Sequence, residues 1–109
     1  MTYLLLAIAI LTEVTATLFL KASNGWENTN YGTTSIIFYA ISGIVFAFVL
    51  KHMGVAVAYA IWSGMGIALV SITSVIIFKQ SFDIYALVGI LLIVCGTILI
   101  TSKSSMVFQ

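Results

Sequence analysis

Four long apolar segments dominate this sequence and limit what it can fold into. They cover about residues 3–20, 34–50, 55–78 and 84–100, and three short stretches rich in charged and turn-forming residues separate them. Each segment is close to the roughly 17–25 residues that a helix needs to cross a hydrocarbon core of about 30 Å. The sequence therefore predicts an all-α integral membrane protein with four transmembrane helices, which form a single domain over residues 1–109.

The composition excludes an ordinary soluble domain and most enzymatic chemistry. Of the 109 residues 62% are hydrophobic and 6% are charged, whereas about 25% of the residues in soluble domains are charged. The lone Cys95 and the lone His52 provide no metal site, and there is no glycine-rich nucleotide loop. We therefore expect no enzymatic activity, no metal or cofactor and no nucleic-acid partner. Active transport would have to draw on an ion gradient.

Glu13 is the only charged residue within the four apolar segments. A charged side chain near the bilayer midplane costs at least about 2.5–3.5 kcal/mol on insertion scales, so intramembrane carboxylates usually face a bundle interior or a wet cavity. Helical spacing places Ala9, Ala16 and Thr17 on the face of Glu13. We predict that Glu13 binds protons and substrate, rather than making only a structural hydrogen bond.

The third segment carries the motif AYAIWSGMG at residues 58–66. On a helix Tyr59, Trp62 and Ser63 lie on one stripe, and aromatic rings opposite a carboxylate would form a pocket for a hydrophobic cation. Trp62 lies about a third of the way into the segment, which favours a pocket over the alternative, interfacial anchoring. Gly64 and Gly66 leave gaps at which the helix can kink or pack closely.

The second and fourth segments carry stripes of aromatic or small residues. Tyr39 and Ser42 share one face of the second segment, in a pattern that is generic by itself. Gly89 and Gly96 lie seven residues apart on one side of the fourth. Because small residues let helices approach closely, we interpret these two glycines as a dimer contact.

The lysines barely specify an orientation in the membrane. With four helices, Lys21 and Lys79 fall on one side and Lys51 and Lys103 on the other, so the positive-inside rule gives no preference. Either the weak bias is accidental, or another protein sets the orientation, or copies insert both ways and pair head to tail. Four helices of this size enclose little space, so we expect a homodimer, which dual topology would make antiparallel.

From end to end the chain resembles the small multidrug resistance family of bacterial exporters. The resemblance rests on TEVTATLFLKASNGW at residues 12–26, VAYAIWSGMGIAL at 57–69 and FKQSFDIYALVGILLIVCG at 78–96. It implies an antiparallel homodimer in the inner membrane that exchanges protons for lipophilic cations by alternating access.

The resemblance also implies roles for individual residues. Glu13 would be the carboxylate that protons and substrate share, Tyr59 and Trp62 the aromatic wall and gate, and Gly64 and Gly66 the kink of the third helix. The further positions that line the pocket would be Ala9, Ala16, Thr17, Tyr39, Ser42 and Ser63. Gly89 and Gly96 would form the dimer contact.

Within that family the chain resembles the branch that exports quaternary ammonium compounds. A sister branch that exports guanidinium typically has a tryptophan just after the glutamate and a threonine in the third-helix motif, whereas this chain has Thr15, Ala16 and Ser63. It departs from the usual pattern at Ala16, at Gly43 and in having no proline. The alternatives are a guanidinium exporter, one subunit of a paired heteromeric exporter of small cations or polyamines, and a passive subunit of a larger membrane complex.

Overall fold

The computed structural model describes residues 1–103, and within them the chain forms four α-helices. Helix α1 spans Thr2–Ala22, α2 Thr29–Leu50, α3 Val55–Ile77 and α4 Ile84–Lys103. All four are long and apolar enough to cross a membrane. The prediction of an all-helical chain with four membrane-length helices is therefore confirmed.

The positions of the helix ends depend on single polar residues, which the pattern of apolar residues does not reveal. Helix α2 begins at Thr29 rather than near residue 34, because the Asn28 Oδ1 accepts a hydrogen bond from the Tyr31 amide at 3.2 Å and caps the helix. Lys79 has a left-handed φ of 55° just after α3 ends. Asp83 Oδ1 then accepts from the Ala86 amide at 2.9 Å and caps the start of α4.

The helices form two compact units, one that comprises α1 and α2 and one that comprises α3 and α4. In the first unit the two helices form a hairpin that packs through small residues. Helix α1 contributes Ala9 and Ala16, which are fully buried. Helix α2 contributes Ser35, which is fully buried, and Ser42, which is almost fully buried. That the four helices constitute one domain stays a prediction.

Hydrogen bonds and aromatic rings join the two helices of the first unit. The buried Ser42 hydroxyl donates to the main-chain oxygen of Ala9 at 2.7 Å. Phe19 of α1 contacts Tyr31 and stacks on Phe38 of α2, with ring centroids 5.7 and 5.9 Å apart. Lipid provides no water to satisfy a hydroxyl, and the bond to Ala9 gives the Ser42 hydroxyl an acceptor inside the helix pair.

The turn between α1 and α2 has an unusual backbone. Asn24, Gly25 and Trp26 have φ values of 52°, 66° and 71°, all in the left-handed region. Such a φ is costly for a bulky residue such as tryptophan. The Trp26 ring lies directly against Gly32, where an added Cβ would overlap the indole. The missing side chain of Gly32 therefore lets the turn fold back onto α2.

Candidate functional site

Glu13 lies near the middle of α1, and its side chain is partly buried. Its carboxylate oxygen Oε1 accepts a hydrogen bond from the Thr17 hydroxyl at 3.0 Å. The same hydroxyl lies 3.1 Å from the main-chain oxygen of Glu13. The predicted neighbour on the helical face of Glu13 is thus its direct hydrogen-bond partner.

The second helix contributes Tyr39 to this site. The phenol oxygen of Tyr39 lies 2.8 Å from the Thr17 hydroxyl oxygen, so the three side chains form what we call the Glu13–Thr17–Tyr39 chain. A threonine hydroxyl has one hydrogen to donate. If Thr17 donates to the carboxylate, Tyr39 must donate to Thr17, and both hydrogens then point toward Glu13. This direction supplies the Glu13 carboxylate with a hydrogen-bond donor inside an apolar helix pair.

Three other predicted lining residues are buried within the first unit. Ala9 and Ala16 are inaccessible, and Ser42 is 2% exposed, with its hydroxyl engaged by the Ala9 carbonyl. This burial favours the packing of the hairpin as their role. Their assignment to a substrate pocket stays a prediction.

In the second unit the predicted aromatic pair is in contact. Tyr59 and Trp62 of α3 meet edge to face, with ring centroids 5.4 Å apart and planes at 78°. Tyr59 is 59% exposed, and Ser63, also on α3, is exposed. Exposed aromatic faces can attract a cation within about 6 Å of the ring centroid. Both units thus carry chemistry suited to a hydrophobic cation, and a single pocket that combines them stays a prediction.

The four predicted glycine positions differ in their surroundings. Gly64 and Gly66 are buried, and α3 is helical through both of them. A Cβ added at Gly64 would overlap the hydroxyl of Thr97 on α4. A Cβ added at Gly89 or Gly96 would meet no atom within 4 Å beyond its chain neighbours and own helix backbone, within the described residues. The kink and the dimer contact stay predictions.

Sequence reasoning also missed a polar contact between α3 and α4 that Thr97 makes. The Thr97 hydroxyl lies 3.2 Å from the Ala60 carbonyl oxygen of α3 and 2.9 Å from the Ile93 carbonyl oxygen of α4. The only sequence signal is a threonine in an apolar segment. Most such threonines bond to their own helix, as Thr101 does to the Thr97 carbonyl at 2.8 Å. The contact of Thr97 with α3 depends on how α3 and α4 are rotated, which the sequence does not reveal.

Comparison with known proteins agrees with these features. Residues 1–93 match the family model described as Small Multidrug Resistance protein. The quaternary ammonium compound-resistance protein QacH of Staphylococcus saprophyticus is 33% identical over 105 residues, which cover 96% of this chain and 98% of QacH. The quaternary ammonium compound-resistance protein QacC of Staphylococcus aureus is 35% identical over 98 residues, which cover 90% of this chain and 92% of QacC.

Proposed function

The chain belongs to the small multidrug resistance family, and we propose that it exports lipophilic cations, quaternary ammonium compounds among them, in exchange for protons. Its four membrane-length helices and its family make it a multi-pass membrane protein. Two relatives are named as quaternary ammonium compound-resistance proteins, which supports this substrate class over guanidinium. We propose the inner membrane of a bacterium as its location.

The Glu13–Thr17–Tyr39 chain is the observation that carries the proposal. A carboxylate in the middle of a membrane helix is expensive, so it needs a compensating role or partner. Thr17 supplies a hydrogen-bond donor at 3.0 Å, and Tyr39 polarises that donor from the neighbouring helix. These bonds hold the Glu13 side chain in one geometry, and the residue is only partly buried, as a binding site for protons or cations requires.

Competition at Glu13 is the proposed means of coupling. A carboxylate that has bound a proton is neutral and no longer attracts a cation, so protons and drug exclude each other. When Glu13 is ionised, Thr17 donates to Oε1. When Glu13 is protonated, Thr17 can turn its hydrogen to the main-chain oxygen of Glu13, which lies 3.1 Å away. The Thr17 hydroxyl therefore keeps a hydrogen-bond acceptor in both states of Glu13.

The cation itself is proposed to contact the aromatic pair of α3. Tyr59 and Trp62 present a ring face and a ring edge at 78°, which suits a flat or bulky organic cation better than a small hydrated ion. Such contact would be apolar and tolerant of shape. This tolerance fits a substrate class defined by charge and hydrophobicity rather than by one structure.

An antiparallel homodimer is the proposed assembly. The even distribution of lysines gives neither orientation an advantage, and Gly89 and Gly96 leave open space on α4 for a second helix. In an antiparallel pair the inward-open and outward-open states can be the same structure with the protomers' roles exchanged. Adding two lysines to the loop after α1 should force one orientation and abolish transport. Full activity in that variant would exclude the antiparallel arrangement.

Transport by the purified protein in liposomes tests the proposed function. A pH gradient that is acidic outside the liposomes should drive the wild type to move ethidium, a quaternary ammonium dye. Glu13→Gln should abolish that movement. Glu27→Gln is the matched control, because Glu27 lies in the loop after α1 and its carboxylate accepts only from the side-chain Nδ2 of Asn24, at 2.8 Å, within the described residues. Movement of guanidinium but not ethidium, or pH-driven movement by Glu13→Gln, would overturn the proposal.

A further inference from the structure

Thr97 contacts the main chain of α3 at the predicted hinge. Its Oγ1 lies 3.2 Å from the Ala60 carbonyl oxygen, and it lies against Gly64 one turn further along α3. A Cβ at position 64 would overlap this hydroxyl and would lie 3.3 Å from the Thr97 Cβ. The absence of a side chain at Gly64 is therefore what allows a hydroxyl from α4 to reach the α3 backbone.

The carbonyl that Thr97 reaches has a particular place in the helix. In an α-helix the oxygen of residue i accepts from the amide of residue i+4, so the regular partner of the Ala60 oxygen is the Gly64 amide. Thr97 has one hydrogen and two acceptors in reach, because the Ile93 carbonyl of its own helix lies 2.9 Å away. The hydroxyl can thus donate to either helix without losing a hydrogen bond.

Bending of α3 at Gly64 would lengthen the bond between the Ala60 oxygen and the Gly64 amide. In hydrocarbon a carbonyl without a donor is costly, and threonine side chains of a neighbouring helix can satisfy such a freed group. Tyr59 and Trp62 lie on the N-terminal side of Gly64, so a bend there redirects the aromatic pair relative to the rest of α3.

We propose that Thr97 is a positioning residue that supplies a substitute donor to the Ala60 carbonyl each time α3 bends at Gly64 and Gly66 during transport. Its hydroxyl turns from Ile93 to Ala60 as the helix bends and returns as it straightens. This lowers the barrier between the two states of the transporter without any contact with the cation. The inference rests on the proposed transport function and adds a residue to it.

Three variants test this role. Thr97→Val keeps the shape and removes the hydroxyl, and Thr97→Ser keeps the hydroxyl. Thr101→Val is the matched control, because Thr101 lies one turn further along α4 and donates only to the Thr97 carbonyl within the described residues. We expect the loss of one hydrogen bond between membrane helices to change the transport rate by about three- to twentyfold.

The measured quantities are the rate of ethidium movement in liposomes and the Kd of ethidium in detergent. Thr97→Val should transport about three- to twentyfold more slowly with a Kd within about twofold of the wild type. Thr97→Ser and Thr101→Val should match the wild type in both. Wild-type transport by Thr97→Val, a parallel loss of rate and affinity, or a defect in Thr97→Ser would overturn the proposal.

Hydrogen exchange at the Gly64 amide tests the same proposal without transport. If Thr97 makes opening of the Ala60–Gly64 bond easier, that amide should exchange about three- to twentyfold more slowly in Thr97→Val than in the wild type, and equally in Thr101→Val. Equal or faster exchange in Thr97→Val would refute the role. If the wild type moves no ethidium, the proposed function fails, whereas the exchange result still decides whether Thr97 assists the hinge.

Discussion

The hydrogen bond from Ser42 to Ala9 allows a controlled test of how the first unit is held together. Two buried serines of α2 differ in one respect. The Ser42 hydroxyl donates to α1, to the Ala9 oxygen at 2.7 Å, whereas the Ser35 hydroxyl donates to the Gly32 oxygen of its own helix, also at 2.7 Å. Ser42→Ala therefore removes a bond between helices, and Ser35→Ala removes a bond within one.

The expected magnitude follows from these partners. Hydrogen bonds between membrane helices contribute about 0.6 kcal/mol on average and at most about 1.7 kcal/mol. The Ala9 oxygen keeps its regular helical donor, so Ser42→Ala leaves no orphaned carbonyl and the cost should stay within that range. Ser35→Ala should be close to neutral, because a serine that bonds back to its own helix slightly destabilises that helix.

Unfolding in mixed micelles of increasing denaturing-detergent content measures both free energies in the same assay. We expect Ser42→Ala to lower the free energy of unfolding by about 0.6–1.7 kcal/mol more than Ser35→Ala does. Both substitutions remove the same atom from a buried site, so their difference isolates the bond to Ala9. Equal effects of the two variants would show that the bond from Ser42 to Ala9 does not stabilise the hairpin.

Two further substitutions test the site and the turn. Tyr39→Phe removes the hydroxyl that contacts Thr17, and it should slow ethidium transport about three- to twentyfold. The control Tyr31→Phe should have little effect on the transport rate. Equal rates in the two variants would exclude a role for the Tyr39 hydroxyl. Gly32→Ala places a Cβ against the Trp26 ring, and should cost about 1–3 kcal/mol of stability in the same unfolding assay. Gly43→Ala should be neutral or stabilising by up to about 1 kcal/mol. In the described chain its Cβ meets no atom within 4 Å, apart from its chain neighbours and its own helix backbone. A Gly32→Ala variant as stable as Gly43→Ala would contradict the packing of the turn.

The sequence alone predicts the helices well because lipid leaves the backbone few choices. A long apolar run in a bilayer has to satisfy its amides internally, so its length and hydrophobicity are enough to predict a helix. Helix ends depend on single polar groups instead. Asn28 caps α2 ahead of a polar first turn, and an apolar pattern therefore places the start of that helix too late.

The sequence predicts which residues belong to the candidate site, but it does not predict which of them contact each other. Glu13 is conspicuous as a charge in an apolar segment, and helical spacing places Thr17 beside it. The bond between Thr17 and Tyr39 depends on how α1 is rotated against α2. The spacing of residues within one helix does not predict that rotation. For the same reason, spacing cannot tell whether Ala9 and Ser42 face a pocket or each other, as they do in the hairpin.

Proton release on cation binding is the most direct test of the claim that protons and cation compete for Glu13. Ethidium is added to the purified protein in weakly buffered detergent, and the change in pH is recorded. If protons and cation compete for Glu13, the wild type and Glu27→Gln release protons on binding, and Glu13→Gln releases none. Cation binding without proton release by the wild type, or equal release by Glu13→Gln, would exclude competition at Glu13.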